Sequence, residues 1–143
     1  MSAIGSYVRI RTADLDRCLE LASRDSSDFA REWDAAVLEE VDFDGSGWVL
    51  SSYFLAQSHL NDLADPFDSA EGMTLAKVFT AAFPVRAPQP LPELDAKALQ
   101  EFCASEWDTV AAAVCDGIVQ AHAFLTMGMA RIAQGEAVVF IIS

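Results

Sequence analysis

Lysine is almost missing from this chain: Lys77 and Lys97 are the only two, and nine basic residues in all stand against 22 acidic ones. The resulting formal charge of −13 and isoelectric point near 4.2 repel nucleic acid and anionic lipid, so neither a nucleic acid nor a membrane is expected as a partner. Histidine is equally scarce, and neither His59 nor His122 has a second His or a Cys at zinc-site spacing. Cys18, Cys103 and Cys115 are odd in number, show no C-x-x-C spacing and fall in helix-like segments, which points to structural thiols in a reducing cytoplasm rather than a disulfide framework. No phosphate-binding glycine loop is present, and Gly45-Ser46-Gly47 lacks the spacing of a nucleophile elbow. Residues 1–6 lack a basic region followed by an apolar run, so no secretory signal is expected. The longest largely apolar run, residues 117–130, contains Gln120 and His122 and falls short of the roughly 18–20 residues that span a bilayer, so it reads as a buried helix.

What is present suffices for one compact domain. Of the 143 residues 52% are apolar and 10% aromatic, and a mean hydropathy of +0.23 assigns the acidity to a folded surface rather than to disorder. The acidity is segregated. Eleven carboxylates lie within residues 14–44, where only Arg17, Arg24 and Arg31 oppose them, a local balance of about −8.

Alternation over residues 6–11 predicts a first strand, with Val8 and Ile10 inward and Tyr7, Arg9 and Arg11 outward. A helix over 13–24 follows, capped by Thr12, with Leu15, Cys18, Leu19 and Ala22 on one face. The stripe Phe29, Trp33, Ala36, Val37 and Val41 predicts a second acidic helix over 27–41, capped by Ser26 or Ser27. A third is expected over 48–60, a polar loop over 61–72, and a fourth helix over 73–83. Pro84, Pro88, Pro90 and Pro92 mark an extended connector, and Asp95 is placed to cap a helix over 96–104. Residues 105–134 form an Ala-rich helical heart with a break expected near Gly117; Gly135 fits a left-handed residue after it. Residues 137–142, wholly apolar, read as a central strand covered on both faces. The fold expected is therefore α+β: one mostly helical domain with a small sheet that joins an N-terminal and a C-terminal strand.

No catalytic group can be assigned from these motifs. Asp42, Asp44, Ser46 and Gly47 fill the first, third, fifth and sixth positions of a calcium-loop pattern, but the closing twelfth position is Tyr53, so no metal or other cofactor is expected. Cys115 and His122 would share a helix face if Gly117 did not interrupt it, but stand two turns apart, beyond hydrogen-bond reach; with Trp48 they are the polar and aromatic residues a small-ligand pocket would draw on. Met127 and Met129, with Phe124, Leu125 and Ile132, read as ordinary core.

In order, Ser6-Tyr-Val-Arg-Ile-Arg, Thr12-Ala-Asp-Leu, Val41-Asp-Phe-Asp, Trp48 opening a helix, Ala121-His-Ala-Phe-Leu and Gly135-Glu-Ala-Val-Val-Phe-Ile-Ile make a layout over most of the chain that resembles the YfbM-type bacterial family of unknown function. Members carry a Lys or similar residue before the Trp and histidines after it; here Gly45-Ser46-Gly47 precedes and Val49-Leu-Ser-Ser52 follows. The resemblance implies a fold and a bacterial cytoplasmic setting, and no activity.

The function expected from the charge is a non-enzymatic protein-binding module, inhibitor-like or immunity-like, that meets a basic protein partner through Glu32, Asp34, Glu39, Glu40, Asp42 and Asp44. The alternative is a small-ligand-binding protein or hydrolase-like enzyme with a pocket beside the C-terminal helices.

Overall fold

A computed structural model describes residues 4–61 and 69–143, with the backbone alone for 44–46, 58 and 61. Four antiparallel strands form one sheet in the order β2-β1-β4-β3: β1 (Ile4–Arg11), β2 (Val37–Ser46), β3 (Ala81–Val85) and β4 (Glu136–Ile142). The two chain ends pair along seven residues, from Gly5 opposite Ile142 to Arg11 opposite Glu136, so the apolar β4 lies in the interior of the sheet as its composition requires.

Helices cover both faces. Because alternate residues of a strand point to opposite sides, Val8, Ile10, Ala137, Val139 and Ile141 meet α1 (Thr12–Ser23), α2 (Phe29–Ala36) and α4 (Ala70–Leu75). Tyr7, Val138, Phe140 and Ile142 meet α3 (Trp48–Asn61), α5 (Ala96–Trp107) and α6 (Ala111–Met129). The expectation of an outward Tyr7 is thereby corrected: it is 2% exposed and packs against the rings of Phe124 and Phe140, while Arg9 beside it is held at the rim by Glu136.

Three boundaries differ from the sequence expectation, each for a physical reason. The second helix stops at Ala36 and residues 37–46 are strand β2, so Glu39, Glu40 and Val41 are not helical. Val37 and Val41, which end the helical stripe, also alternate with Phe43 as residues of a strand, and pairing with the open side of β1 decides between the two. Residues 73–83 split into the short α4 and the edge strand β3; Pro84 forces Phe83 out of helical geometry, and its missing N–H is tolerated on an edge. The helical heart breaks at Asp108 (φ +42) and a turn over Asp108–Val110, not at Gly117. Gly117 lies inside α6 because α3 comes close there: a Cβ would meet Val49 Cγ1 at 3.0 Å.

Local capping agrees in part. Asp95 Oδ1 accepts the Ala98 N–H at 3.0 Å, and Gly135 takes φ +76. Thr12 does not cap α1; its hydroxyl donates to the Gly135 carbonyl. Neither Ser26 nor Ser27 caps α2, whose N-cap position is Asp28. The expected polar loop over 61–72 lies largely outside the described residues.

Candidate functional site

Tertiary structure redistributes the acidic segment's charge. Cations distant in sequence reach into it: Arg86 pairs with Asp16 at 2.6 Å, Lys77 with Asp25 at 3.6 Å, and Arg131 makes a two-pronged contact with Glu39 at 3.0 and 2.7 Å. Within the segment Arg17 bridges Asp14 and Glu32, and Arg31 bridges Asp28 and Glu32. Of the partner-binding residues expected from sequence, Glu32 and Glu39 are therefore neutralised inside the fold. Asp34, Glu40 and Asp42 are exposed and form no ion pair among the described residues; the Asp44 side chain lies outside them.

Glu40 and Asp42 sit two residues apart on β2, opposite Val8 and Ser6. β2 pairs with β1 on one side only, so it is an edge strand whose outer backbone N–H and C=O groups have no strand to bond among the described residues. Next to Asp42 an apolar cleft of about 440 Å³ opens between β2 and α6, lined by Phe43, Gln120, Ala123, Phe124 and Met127. Carboxylates, free backbone groups and an apolar cleft thus adjoin along one edge.

The calcium-loop reading meets a different geometry. The backbone of residues 42–46 is extended strand, which advances about 6.6 Å per two residues instead of curling into a loop around one ion. Tyr53, at the closing position, is buried in α3 at 1% exposure, and no group of three metal-ligating side chains occurs among the described residues. The Tyr53 hydroxyl has no hydrogen-bond partner among the described residues, and burial pushes its pKa up to about 12.

A second cleft, about 490 Å³, lies between α5, α6 and the proline connector. Glu93, Gln100, Cys115, Asp116 and His122 give it its polar lining. Cys115 and His122 therefore share one cleft, while Trp48, half exposed at the start of α3, is not among its lining residues. His122 Nε2 lies 2.9 Å from the Pro92 carbonyl oxygen. A carbonyl only accepts, so Nε2 carries the proton and Nδ1 keeps its lone pair in the neutral ring. The neighbour of Cys115 across the helices is Cys103: burial, with Cys115 alongside, pushes the Cys103 thiol up to about 11. Sequence spacing hid this contact, because it depends on a turn at Asp108 rather than at Gly117.

Helix α6 keeps an apolar outer face. Val119 and Met127 are about half exposed, and its only charge is Asp116. The stretch Ala96–Met129 is long and apolar enough to cross a membrane by length and composition, but it is two helices that fold back on each other against the sheet.

No family model matches the chain, and no curated protein or solved structure matches it either.

Proposed function

We infer that the protein is a non-enzymatic binding module that recognises a basic protein along the β2 edge. The observation that carries this reading is the coincidence of two exposed, unpaired carboxylates, Glu40 and Asp42, with an open strand edge and the apolar cleft beside Asp42. A lysine- or arginine-bearing extended segment satisfies the backbone edge, meets both charges and seats an apolar side chain against Phe124 and Met127. A second copy of this acidic chain would place like charges against each other there, which selects a cationic partner. An inhibitor or immunity protein for a basic toxin fits this chemistry. Free Cys18, Cys103 and Cys115 support a reducing, cytoplasmic setting, and the YfbM-type resemblance a bacterial one.

The test is co-purification with the tagged chain from its native host at low and high salt. A basic protein retained at low salt, released at high salt and lost in Glu40→Lys/Asp42→Lys is the expected result. A partner indifferent to both salt and substitution would overturn the reading.

The second cleft favours one other reading, a small-ligand or hydrolytic site in which His122 Nδ1 accepts a proton and Glu93 and Asp116 contact a polar ligand. His122→Ala separates the two: it disables a ligand site and leaves partner capture at the β2 edge unchanged.

A further inference from the structure

We propose that Cys103 and Cys115 are an oxidisable thiol pair, closed into a disulfide across the α5–α6 hairpin by a hydroperoxide that reacts first at Cys115. The geometry follows from the turn at Asp108–Val110. In an antiparallel helical hairpin, residues equidistant from the turn lie at the same level, and Cys103 and Cys115 are equidistant from Thr109. The same correspondence holds further along the hairpin, where Leu99 with Val119 and Ala96 with His122 line one cleft. Both cysteines face the hairpin interior: Cys103 is 0% exposed in the core, and Cys115 packs against that same core.

The two thiols are unequal, and the inequality sets the order of events. Cys103 has no exposure, and burial keeps its proton in place at neutral pH. Cys115 is partly exposed and lines both the 490 Å³ cleft and an adjoining one of about 290 Å³ formed with Gln100, Ala111, Ala112 and Asp116. A peroxide can therefore reach Cys115 and not Cys103. Cys18, buried beneath α1 in the other core cluster, is an internal control without a neighbouring thiol in that cluster.

The chemistry balances in two steps. The Cys115 sulfur attacks the peroxide O–O bond, forming a sulfenic acid and releasing the alcohol, or water from hydrogen peroxide. The Cys103 sulfur then attacks the sulfenyl sulfur: the S–S bond forms, the S–O bond breaks, and the hydroxyl leaves as water with the Cys103 proton. Two thiols have lost two electrons and the peroxide has gained them. The disulfide fixes α5 to α6 in the cleft that holds His122, so its formation alters that cleft.

The test treats the folded, full-length protein with hydrogen peroxide, alkylates remaining thiols in denaturant, and maps the peptides by mass spectrometry. A linked Cys103–Cys115 peptide, with Cys18 alkylated, is the expected product. Cys115→Ser should leave Cys103 reduced at the same dose, and Cys103→Ser should leave Cys115 trapped as its dimedone adduct. Wild-type Cys115 that stays reduced, or proceeds to sulfinic acid without linking to Cys103, overturns the proposal. Because the wild-type product is decisive by itself, a folding defect in either variant does not rescue it.

Discussion

The two faces of the sheet are built from different materials. On one, α1, α2 and α4 close over aliphatic strand residues and the ring group Phe29, Trp33 and Phe79, and their outer surface is laced with ion pairs. On the other, α3, α5 and α6 close over Tyr7, Phe43, Phe124 and Phe140, and there α6 keeps a largely apolar outer face beside clefts, two neighbouring thiols and a histidine. The lesson is that the residues that made the chain look like a charged recognition module are mostly consumed in holding its own helices. Two of the carboxylates left unpaired among the described residues, Glu40 and Asp42, stand together on β2, while the groups capable of chemistry gather across the sheet. Substitutions can therefore address one face without the other.

The largest expected effect breaks the face that holds the rings. Phe140 meets Tyr7, Phe83 and Phe124 at centroid distances of 6.1 to 6.4 Å, and Phe140→Ala should cost about 3–5 kcal/mol in urea unfolding. The next effect isolates the partner edge. Glu40→Lys/Asp42→Lys should weaken partner affinity about tenfold or more, roughly 1.4 kcal/mol, in calorimetric titrations, with the unfolding midpoint little changed.

A smaller effect sharpens the contrast through pH. Tyr53 and Cys103, both on the ring face, are raised in the folded state from ordinary values of 10.0 and 9.0 to about 12 and about 11. A raised folded-state pKa means that unfolding becomes easier once the unfolded chain can ionise. Their contribution is full below about pH 9 and is lost as pH rises through 11 and 12. Tyr53→Phe should flatten the upper part of that decline. At neutral pH it should gain on the order of 1 kcal/mol, since it removes a buried hydroxyl without a partner among the described residues. The smallest effect lies at the rim of the ring face: Glu39→Gln, which loosens Arg131, should cost under about 1 kcal/mol in stability and leave partner affinity unchanged.

The frame of this fold was legible because its determinants are local or strongly apolar. Residues 137–142 have no polar position to turn outward, so a central strand followed from composition, and Asp95 and Gly135 announced helix ends by their own chemistry. β2 was not legible as a strand, because its residues satisfy a helical stripe equally well and only the empty side of β1 decides the matter. The same holds for the sites. Exposed Glu40 and Asp42 could be named in advance, but that Glu39 next to Glu40 is neutralised by Arg131, 92 residues away, depends on the register of the sheet. Cys103 and Cys115 become neighbours only once the turn is placed at Asp108.

The central claim is that recognition resides in two particular carboxylates and not in net charge. The direct measurement is the affinity of the captured basic partner at increasing salt for three proteins: wild type, Glu40→Lys/Asp42→Lys, and Asp25→Lys/Asp28→Lys. The last makes the same change in net charge at carboxylates already paired within the fold. The account predicts strong, salt-sensitive binding in the wild type, nearly the same in the Asp25/Asp28 variant, and a large loss with a shallower salt slope in the Glu40/Asp42 variant. Equal losses in the two variants, or an affinity that does not change with salt, would contradict it.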